Sequence, residues 1–377
     1  MRLFSDVSAS ITDPYLRRAF QLAERGRGTT APNPIVGCVV VEDGEIAGEG
    51  HHERAGGPHA EVRALEAAGK RAHGATVYVT LEPCAHHGLT PPCTDALRAA
   101  GVGEVVIGMP DPTVQASGGA SVLKEAGIAV AFAPDPAPFE ELNAAWLTRV
   151  ATGLPWVQAK VATTLDGKVA LAEGVRTVIT GGESARLTMR LRAAADAVCV
   201  GVGTAAVDDP ALTVRGADGR DVERQPLRIV LARDTVDLSP RLFTDGRGPV
   251  AIVCHEGACT DDLPEGIELI EYAGADGLHG ALAGIARAGV DRLFVEPGPR
   301  LLTALWDAAL IDEFVHIQAG GMGGLEAPGM YSGVRGNAGE ILMSDVYALE
   351  SGIAGSDSVT VWRPRQRRFT SARREGR

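Results

Sequence analysis

Short apolar runs alternate with amphipathic stretches twice along this chain, and a proline-studded segment separates the two series. That ordering restricts the fold more than any other feature. The first series opens at Asp13-Pro14, an N-cap followed by proline at the first helical position, with a helix running to Gly26. "VGCVVVEDGEIAGEG" reads as a hairpin turned at Asp43-Gly44. "HAEVRALEAAG" has helical spacing and stops at Gly69. "ATVYVTLEP" is a buried strand, "CTDALRAAG" a helix and "EVVIGM" a further strand. Strands alternating with helices imply an α/β layer sandwich.

"APDPAPFEELNAAWLTRVATGLPW" places four prolines around a short helix, and alternation resumes at "WVQAKVATTLDGKVA". A boundary near Thr152 to Pro155 divides the chain into domains at 1–150 and 151–362. A length of 377 residues also points to two domains. The second series has strands in "AVCVGV", "LRIVLA", "VAIVC" and "RLFVEPG" and a helix in "RLLTALWDAALI". "AGGMGGLEAPGMYSGVRGNAG" reads as loop. No repeat relates the halves, so each is expected to carry its own site.

Charge and composition remove several classes. A net charge of −12 opposes general nucleic-acid binding, which needs clustered cations. The exception is the tail at 363–377, with seven arginines, which reads as a frayed, solvated terminus. No run approaches eighteen apolar residues, so no membrane span is expected. The first residues lack the pattern of a secretory signal, and six cysteines are too few for a disulfide scaffold. Reduced thiols and a cytoplasmic setting follow as expectations.

"TLEPCAHHGLTPPC" then becomes informative beside "PHAEVRAL" upstream. His59 and Glu61 stand at the start of a helix, where residues two apart diverge unless they share a site off its N-terminal end. Cys84 follows a strand and Cys93 begins the next helix. His59, Cys84 and Cys93 make three corners of a zinc tetrahedron with one left for water. Helix N-termini favour the thiolate form. The joint pattern is that of zinc deaminases, in which the glutamate is the proton carrier and not a ligand. Zinc lowers the pKa of bound water to about 7. Attack on an amino-bearing ring carbon follows, with Glu61 moving protons to ring nitrogen and leaving ammonia. The competing reading is a structural site closed by His86 or His87.

"DAVCVGVGTAAVDDP" superficially fits a dinucleotide fingerprint, but Asp208-Asp209-Pro210 ends any helix too soon. What remains is a glycine turn facing "EPGPRLLTAL", where Gly298 and the helix near Arg300 can present N–H groups to a pyrophosphate. Lys160, on the apolar strand "WVQAKVA", needs a partner: Asp166, or a ligand phosphate or hydroxyl. Arg192 and Arg215 flank the glycine turn and suit bidentate phosphate binding.

The motifs quoted above, with "PNPIVGCVV", "KVATTLDGKVA" and "VGVGTAAVDDPALTVR", resemble those of the bifunctional deaminase/reductases of riboflavin biosynthesis. The resemblance spans roughly residues 13–215 and returns at "FVEPGPRLLTAL". It implies a cytidine-deaminase-like α/β/α layer sandwich followed by a dihydrofolate-reductase-like α/β domain. It implies one zinc ion on His59, Cys84 and Cys93, Glu61 as acid/base, and substrate contacts from Asn33, His52, His86 and Asp111. For the second domain it implies NADPH at Ala162, Thr204, Asp208, Gly298, Pro299, Arg300, Leu301, Leu302, Thr303 and Ala304. Arg192, Leu212, Arg215 and Glu296, joining Lys160, would hold the sugar phosphate. The implied substrate is 2,5-diamino-6-(5-phosphoribosylamino)pyrimidin-4-one, deaminated and then reduced from ribosyl to ribityl. A homo-oligomer acting on small molecules is the expected assembly, and charge and hydropathy lead to no nucleic-acid or membrane partner as an expectation.

The chain departs from the family pattern at several points. Leu89 stands where a basic residue is common, and Thr113 lies in "DPTVQ" in place of Asp-Pro-Asn-Pro. Arg176 and Val178 replace Ser and Trp, and Ala232-Arg233 replace Asp-Ser. A deaminase with a non-reducing second domain, and a nucleic-acid-editing deaminase using the arginine tail, are the alternatives these features leave.

Overall fold

Asp13 caps the first helix as its side chain accepts from the N–H groups of Tyr15 (2.8 Å) and Leu16 (2.9 Å), with Pro14 at the first turn. The computed structural model describes residues 3–87, 91–114, 116–258, 263–332 and 346–365. The chain divides into two compact units, Met1–Val150 and Ala151–Arg377.

The first unit runs α1 (Pro14–Ala23), β1 (Gly37–Glu42), β2 (Glu45–His51), α2 (Ala60–Ala68), β3 (Thr76–Val79), α3 (Cys93–Ala100), β4 (Glu104–Ile107), α4 (Gly119–Glu125), β5 (Ala129–Phe132), α5 (Ala137–Leu142) and α6 (Ala144–Thr152). Its sheet has the order β2-β1-β3-β4-β5. β1 runs antiparallel to β2 and β3, while β3, β4 and β5 are mutually parallel. Asp43 and Gly44 both take positive φ, 50° and 81°, as the tight hairpin turn requires.

Alternation along β1 builds the layers. Val39 and Val41 face α1, packing on Ala19 and Leu22. On that side Gly37 meets the helix so closely that a Cβ would lie 2.0 Å from the Ala19 carbonyl oxygen. The opposite face, in register with Cys38 and Val40, carries Gly50 and Gly48, where a Cβ would fall 2.4 Å from Ala60 O and 2.2 Å from Ala64 O. α2 therefore lies directly on the sheet there, with α3 beside it. On the α1 side α5 joins through an edge-to-face contact of Phe20 and Phe139 at 6.2 Å. The result is the expected α/β/α layering. The proline-rich segment forms two helices broken at Asn143, not one.

The second unit runs β6 (Trp156–Thr163), α7 (Gly182–Ala193), β7 (Ala197–Gly201), α8 (Val202–Asp208), β8 (Leu227–Leu231), β9 (Val250–His255), β10 (Ile267–Tyr272), α9 (Gly277–Arg287), β11 (Arg292–Val295), α10 (Pro299–Asp307), β12 (Glu313–Gln318), β13 (Val346–Ala354) and β14 (Asp357–Pro364). The sheet order is β10-β9-β8-β7-β11-β6-β12-β14-β13. Pairing is parallel from β10 through β12 and antiparallel in the final hairpin. Central strands of a covered parallel sheet are buried on both faces, which is why "AVCVG" and "RLFV" read as unbroken apolar runs.

The expectation of a solvated tail beginning at residue 363 is corrected at its first residue. Arg363 belongs to β14 and is 1% exposed; its Nη2 lies 2.6 Å from Glu313 Oε2 and its guanidinium 5.2 Å from the Trp156 ring. Pairing of β14 with β12 sets Trp362 opposite Phe314, next to Glu313, and that carboxylate draws the arginine inward. Residues 366–377 lie outside the described residues, as does Leu89.

Candidate active sites

The first site assembles along one edge of the five-stranded sheet, where β3 and β4 end and β1 begins. His59 is the N-cap of α2 with extended backbone (φ −71°, ψ 163°), while Glu61 lies in the first turn. The non-helical N-cap relieves the divergence expected of two helical residues two apart. Cys93 opens α3, and its N–H points at Cys84 Sγ (3.4 Å). His59 Nδ1 lies 3.1 Å from Cys93 Sγ and 3.6 Å from Cys84 Sγ. A zinc tetrahedron requires edges of about 3.5 Å between nitrogen and sulfur and about 3.8 Å between sulfurs. All three ligand atoms fall within 4.8 Å of one another, so the set fits the ion.

The two thiols share one proton between them. Hydrogen bonding from Cys93, opposed by burial and aided by His59, lowers the Cys84 thiol to about 4. Hydrogen bonding to the Cys84 thiolate, together with burial, pushes Cys93 up. For both to become thiolates a cation must lie between them, and a divalent metal would supply it. Glu61 is 3% exposed and turned toward the cluster; burial raises its carboxyl pKa, the neighbouring His59 charge opposes this, and Cys84 adds to it. His86 and His87 are exposed, and among the described residues the metal-ligand group comprises His59, Cys84 and Cys93 alone. The fourth corner is therefore not closed by either histidine.

Three further residues surround this centre. His52, 3% exposed, sets its Nδ1 3.1 Å from the Pro58 carbonyl and its Nε2 3.1 Å from Asn33 Nδ2. A carbonyl only accepts, so Nδ1 carries the proton, and burial holds the ring neutral by lowering its pKa. Nε2 then accepts from Asn33, which fixes the way that amide faces. Asp111, 8% exposed, accepts at Oδ1 from Thr113 N (2.8 Å) and Oγ1 (2.6 Å). Burial raises its pKa, and the Thr113 bonds oppose that shift. His86 has no described bond to this group.

The second site gathers where β6, β7 and β11 end, the edge at which open parallel sheets place their ligands. In-register pairing sets Val295 beside Ala159 and Cys199, so Glu296 emerges next to Lys160. Arg192 Nε donates to Glu296 Oε1 (2.7 Å), and its Nη1 donates to the Thr213 carbonyl (3.0 Å). Burial alone would raise Glu296; the charges of Arg192 and Lys160 outweigh it and leave the carboxyl below its ordinary value. Burial lowers Lys160, with Glu296 opposing. Asp166 does not pair with Lys160 as entertained from the sequence. It accepts instead from Gly323 N and Gly324 N, each at 2.9 Å, and from the Thr164 hydroxyl, which brings its pKa to about 2.

The two glycine turns also meet. A Cβ on Gly298, the N-cap of α10, would fall 2.9 Å from Thr204 Oγ1, and one on Gly201 would fall 3.6 Å from Leu301. Thr204, Gly298 and Leu301 thus form one cradle, with α10 from Pro299 through Arg300, Leu302, Thr303 and Ala304 directing its N-terminus there. The orphan N–H groups of that terminus fit a pyrophosphate. Asp208 ends α8; burial raises its pKa, with the charge of Arg176 opposing and Glu296 adding. Ala162 lies on β6 two residues beyond Lys160, on the same face. Leu212 is 1% exposed with φ 54°, so its side chain and backbone are both covered. Arg215 is exposed on a loop bridged to Asp221. Arg176, Val178 and Arg233 are exposed, and Ala232 is buried.

Sequence reasoning assigned no role to Glu82, Asn143 or Cys38, although each lies inside a motif. Asn143, 1% exposed, mimics a strand partner: Oδ1 accepts from Ile35 N (2.8 Å) and Nδ2 donates to Ile35 O (3.0 Å). Cys38 is wholly buried near Glu61; burial pushes its thiol up, and the Glu61 charge adds to that. A polar residue inside the apolar stretch "LNAAWL" was the available signal for Asn143.

Comparison with known proteins bears on both units. Residues 10–109 match the cytidine and deoxycytidylate deaminase zinc-binding region, and residues 155–350 match the RibD C-terminal domain. The chain is 42% identical to the riboflavin biosynthesis protein RibD of Escherichia coli over 84% of its own length and 89% of the relative's. It is 41% identical to that of Aquifex aeolicus, over 80% and 85%. Among solved structures it is similar to Acinetobacter baumannii RibD (TM-score 0.83, 34% identity, covering 93% of this chain and 98% of that one). A diaminohydroxyphosphoribosylaminopyrimidine deaminase/5-amino-6-(5-phosphoribosylamino)uracil reductase from Thermotoga maritima gives a TM-score of 0.80 at 31% identity, over 93% and 97%.

Proposed function

The chain belongs to the RibD family of bifunctional riboflavin-biosynthesis deaminase/reductases, and on that premise we propose which of its residues carry each reaction. The substrate is the diaminopyrimidine ribotide named for the Thermotoga relative. His59, Cys84 and Cys93 would hold zinc, which would supply Lewis-acid activation of a water molecule. Glu61 takes a proton from that water and delivers protons to the ring nitrogen and the departing amino group, so ammonia leaves and a carbonyl remains. Burial raises its carboxyl pKa, the direction that favours return of the proton it takes. Asn33, oriented by His52, offers its amide oxygen to a ring donor, and Asp111 offers Oδ2. His86 flanks the mouth.

In the second unit bound NADPH would supply a hydride for C1′ of the opened ribose. Gly298, Thr204 and the start of α10 hold the pyrophosphate, with Ala162 and Asp208 beside the cofactor. Lys160 and Arg192, both set by Glu296, present cations to the sugar hydroxyls and phosphate, with Arg215 and the buried Leu212 beside that subsite. We place the enzyme in the cytoplasm as a homo-oligomer. The buried Cys38 and Cys199 form no disulfide, which fits a reducing compartment, and among the described residues no helix is long and apolar enough to cross a membrane.

The observation that carries the deaminase assignment is a buried carboxylate turned onto an incomplete His-Cys-Cys cluster. Glu61→Gln should cut ammonia release from the ribotide by about 10²–10⁴-fold with zinc retained. It should leave NADPH oxidation by the deaminated intermediate unchanged. Ammonia release at the wild-type rate would remove Glu61 from the chemistry.

A further inference from the structure

Glu82 stands two residues before Cys84, is 7% exposed, and has no task in the reactions above. Its carboxylate accepts three backbone N–H groups: Asp111 on Oε2 (3.1 Å), and Gly118 (3.2 Å) and Ala120 (2.9 Å) on Oε1. Its own N–H donates to the Met109 carbonyl (3.0 Å). The start of α4 presses so closely on the next residue that a Cβ on Gly119 would fall 1.8 Å from Pro83 O. Glu82-Pro83-Cys84 thus carries a metal ligand and grips both ends of the segment joining β4 to α4.

We propose that Glu82 is a positioning residue that fixes Asp111 relative to the metal-ligand loop, and through it the aminopyrimidine. This rests on the deaminase reading, in which Asp111 touches that ring. The Asp111 N–H is held by Glu82 and its Oδ1 by Thr113, which leaves Oδ2 a single direction. A carboxylate serves three donors because it only accepts. An amide of the same shape has one accepting end. Two donors converge on the Oε1 side, so in Glu82→Gln the amide oxygen turns there and its NH₂ group meets the Asp111 N–H, donor against donor. That substitution therefore releases Asp111 selectively.

The test measures ammonia release from the diaminopyrimidine ribotide and zinc content for wild type, Glu82→Gln, Asp111→Ala and the double variant. Glu82→Gln should raise KM about tenfold, the loss expected for one charged hydrogen bond, at one zinc per chain and nearly unchanged kcat. In the Asp111→Ala background the same change should add less than about twofold, because the two residues act as one. Glu82→Asp, which keeps an acceptor-only group, should recover part of the loss. A wild-type KM in Glu82→Gln, effects that multiply in the double variant, or loss of zinc or of the folded state would each overturn the proposal, the last by assigning Glu82 to the metal loop or the fold. A wild type that releases no ammonia overturns the deaminase reading as well, whereas an active wild type with an indifferent Glu82→Gln overturns this inference alone.

Discussion

Arg192 and Glu296 illustrate how much one pairing decides. Glu296 has a folded pKa below its ordinary value, so its contribution to stability is complete above the ordinary carboxylate range and is lost as pH falls through the lower folded value. Arg192→Ala should raise that folded value and shift acid unfolding of the second unit to higher pH, as followed by circular dichroism during acid titration. The neutral-pH cost should be about 3 kcal/mol, because a largely buried carboxylate loses its main partner. An unchanged acid transition would mean that Lys160 alone holds the carboxylate. Individual side chains of this kind were unequally legible. The histidine, two cysteines and glutamate of the first site announce themselves through residue type and spacing, because zinc chemistry admits few alternatives. Lys160 was recognised as needing a partner, but Asp166, its nearest acid in sequence, was the wrong one. Glu82 gave no such notice, since its partners are backbone N–H groups 29 to 38 positions away.

Local elements were more readable than their junctions. The Asp13-Pro14 start, the Asp43-Gly44 turn and the stop at Gly69 depend on a few adjacent residues, and all appear as expected. The break between α5 and α6 was missed because Asn143 serves a distant strand entry. Asn143→Ala would leave the N–H and C=O of Ile35 without this partner, and should cost the first unit about 1–3 kcal/mol in urea unfolding. A midpoint equal to wild type would show that Ile35 is held by other means. The final hairpin was hidden for a similar reason: its partly buried β13 alternates weakly, and β14 was obscured by the arginines that begin with Arg363.

The site proposed for each unit lies at one edge of its own sheet, so the two reactions should be separable chemically. Stripping zinc with a chelator should abolish ammonia release, and added zinc should restore it. NADPH oxidation by the deaminated intermediate should continue throughout, and its parallel loss would show that the second unit depends on the metal. The α/β alternation, the layering of the first unit, the gathering of His59, Cys84 and Cys93 and the meeting of two glycine turns could all be read along the chain, because each is written in residues a few positions apart or in chemistry with narrow demands. Which acid faces Lys160, which carboxylate grips Asp111, and that Arg363 is buried rather than solvated emerged only once strands far apart in sequence were laid side by side. Spacing encodes a turn or a helix face, whereas contacts across a sheet depend on strand order and register, which no short stretch of residues specifies.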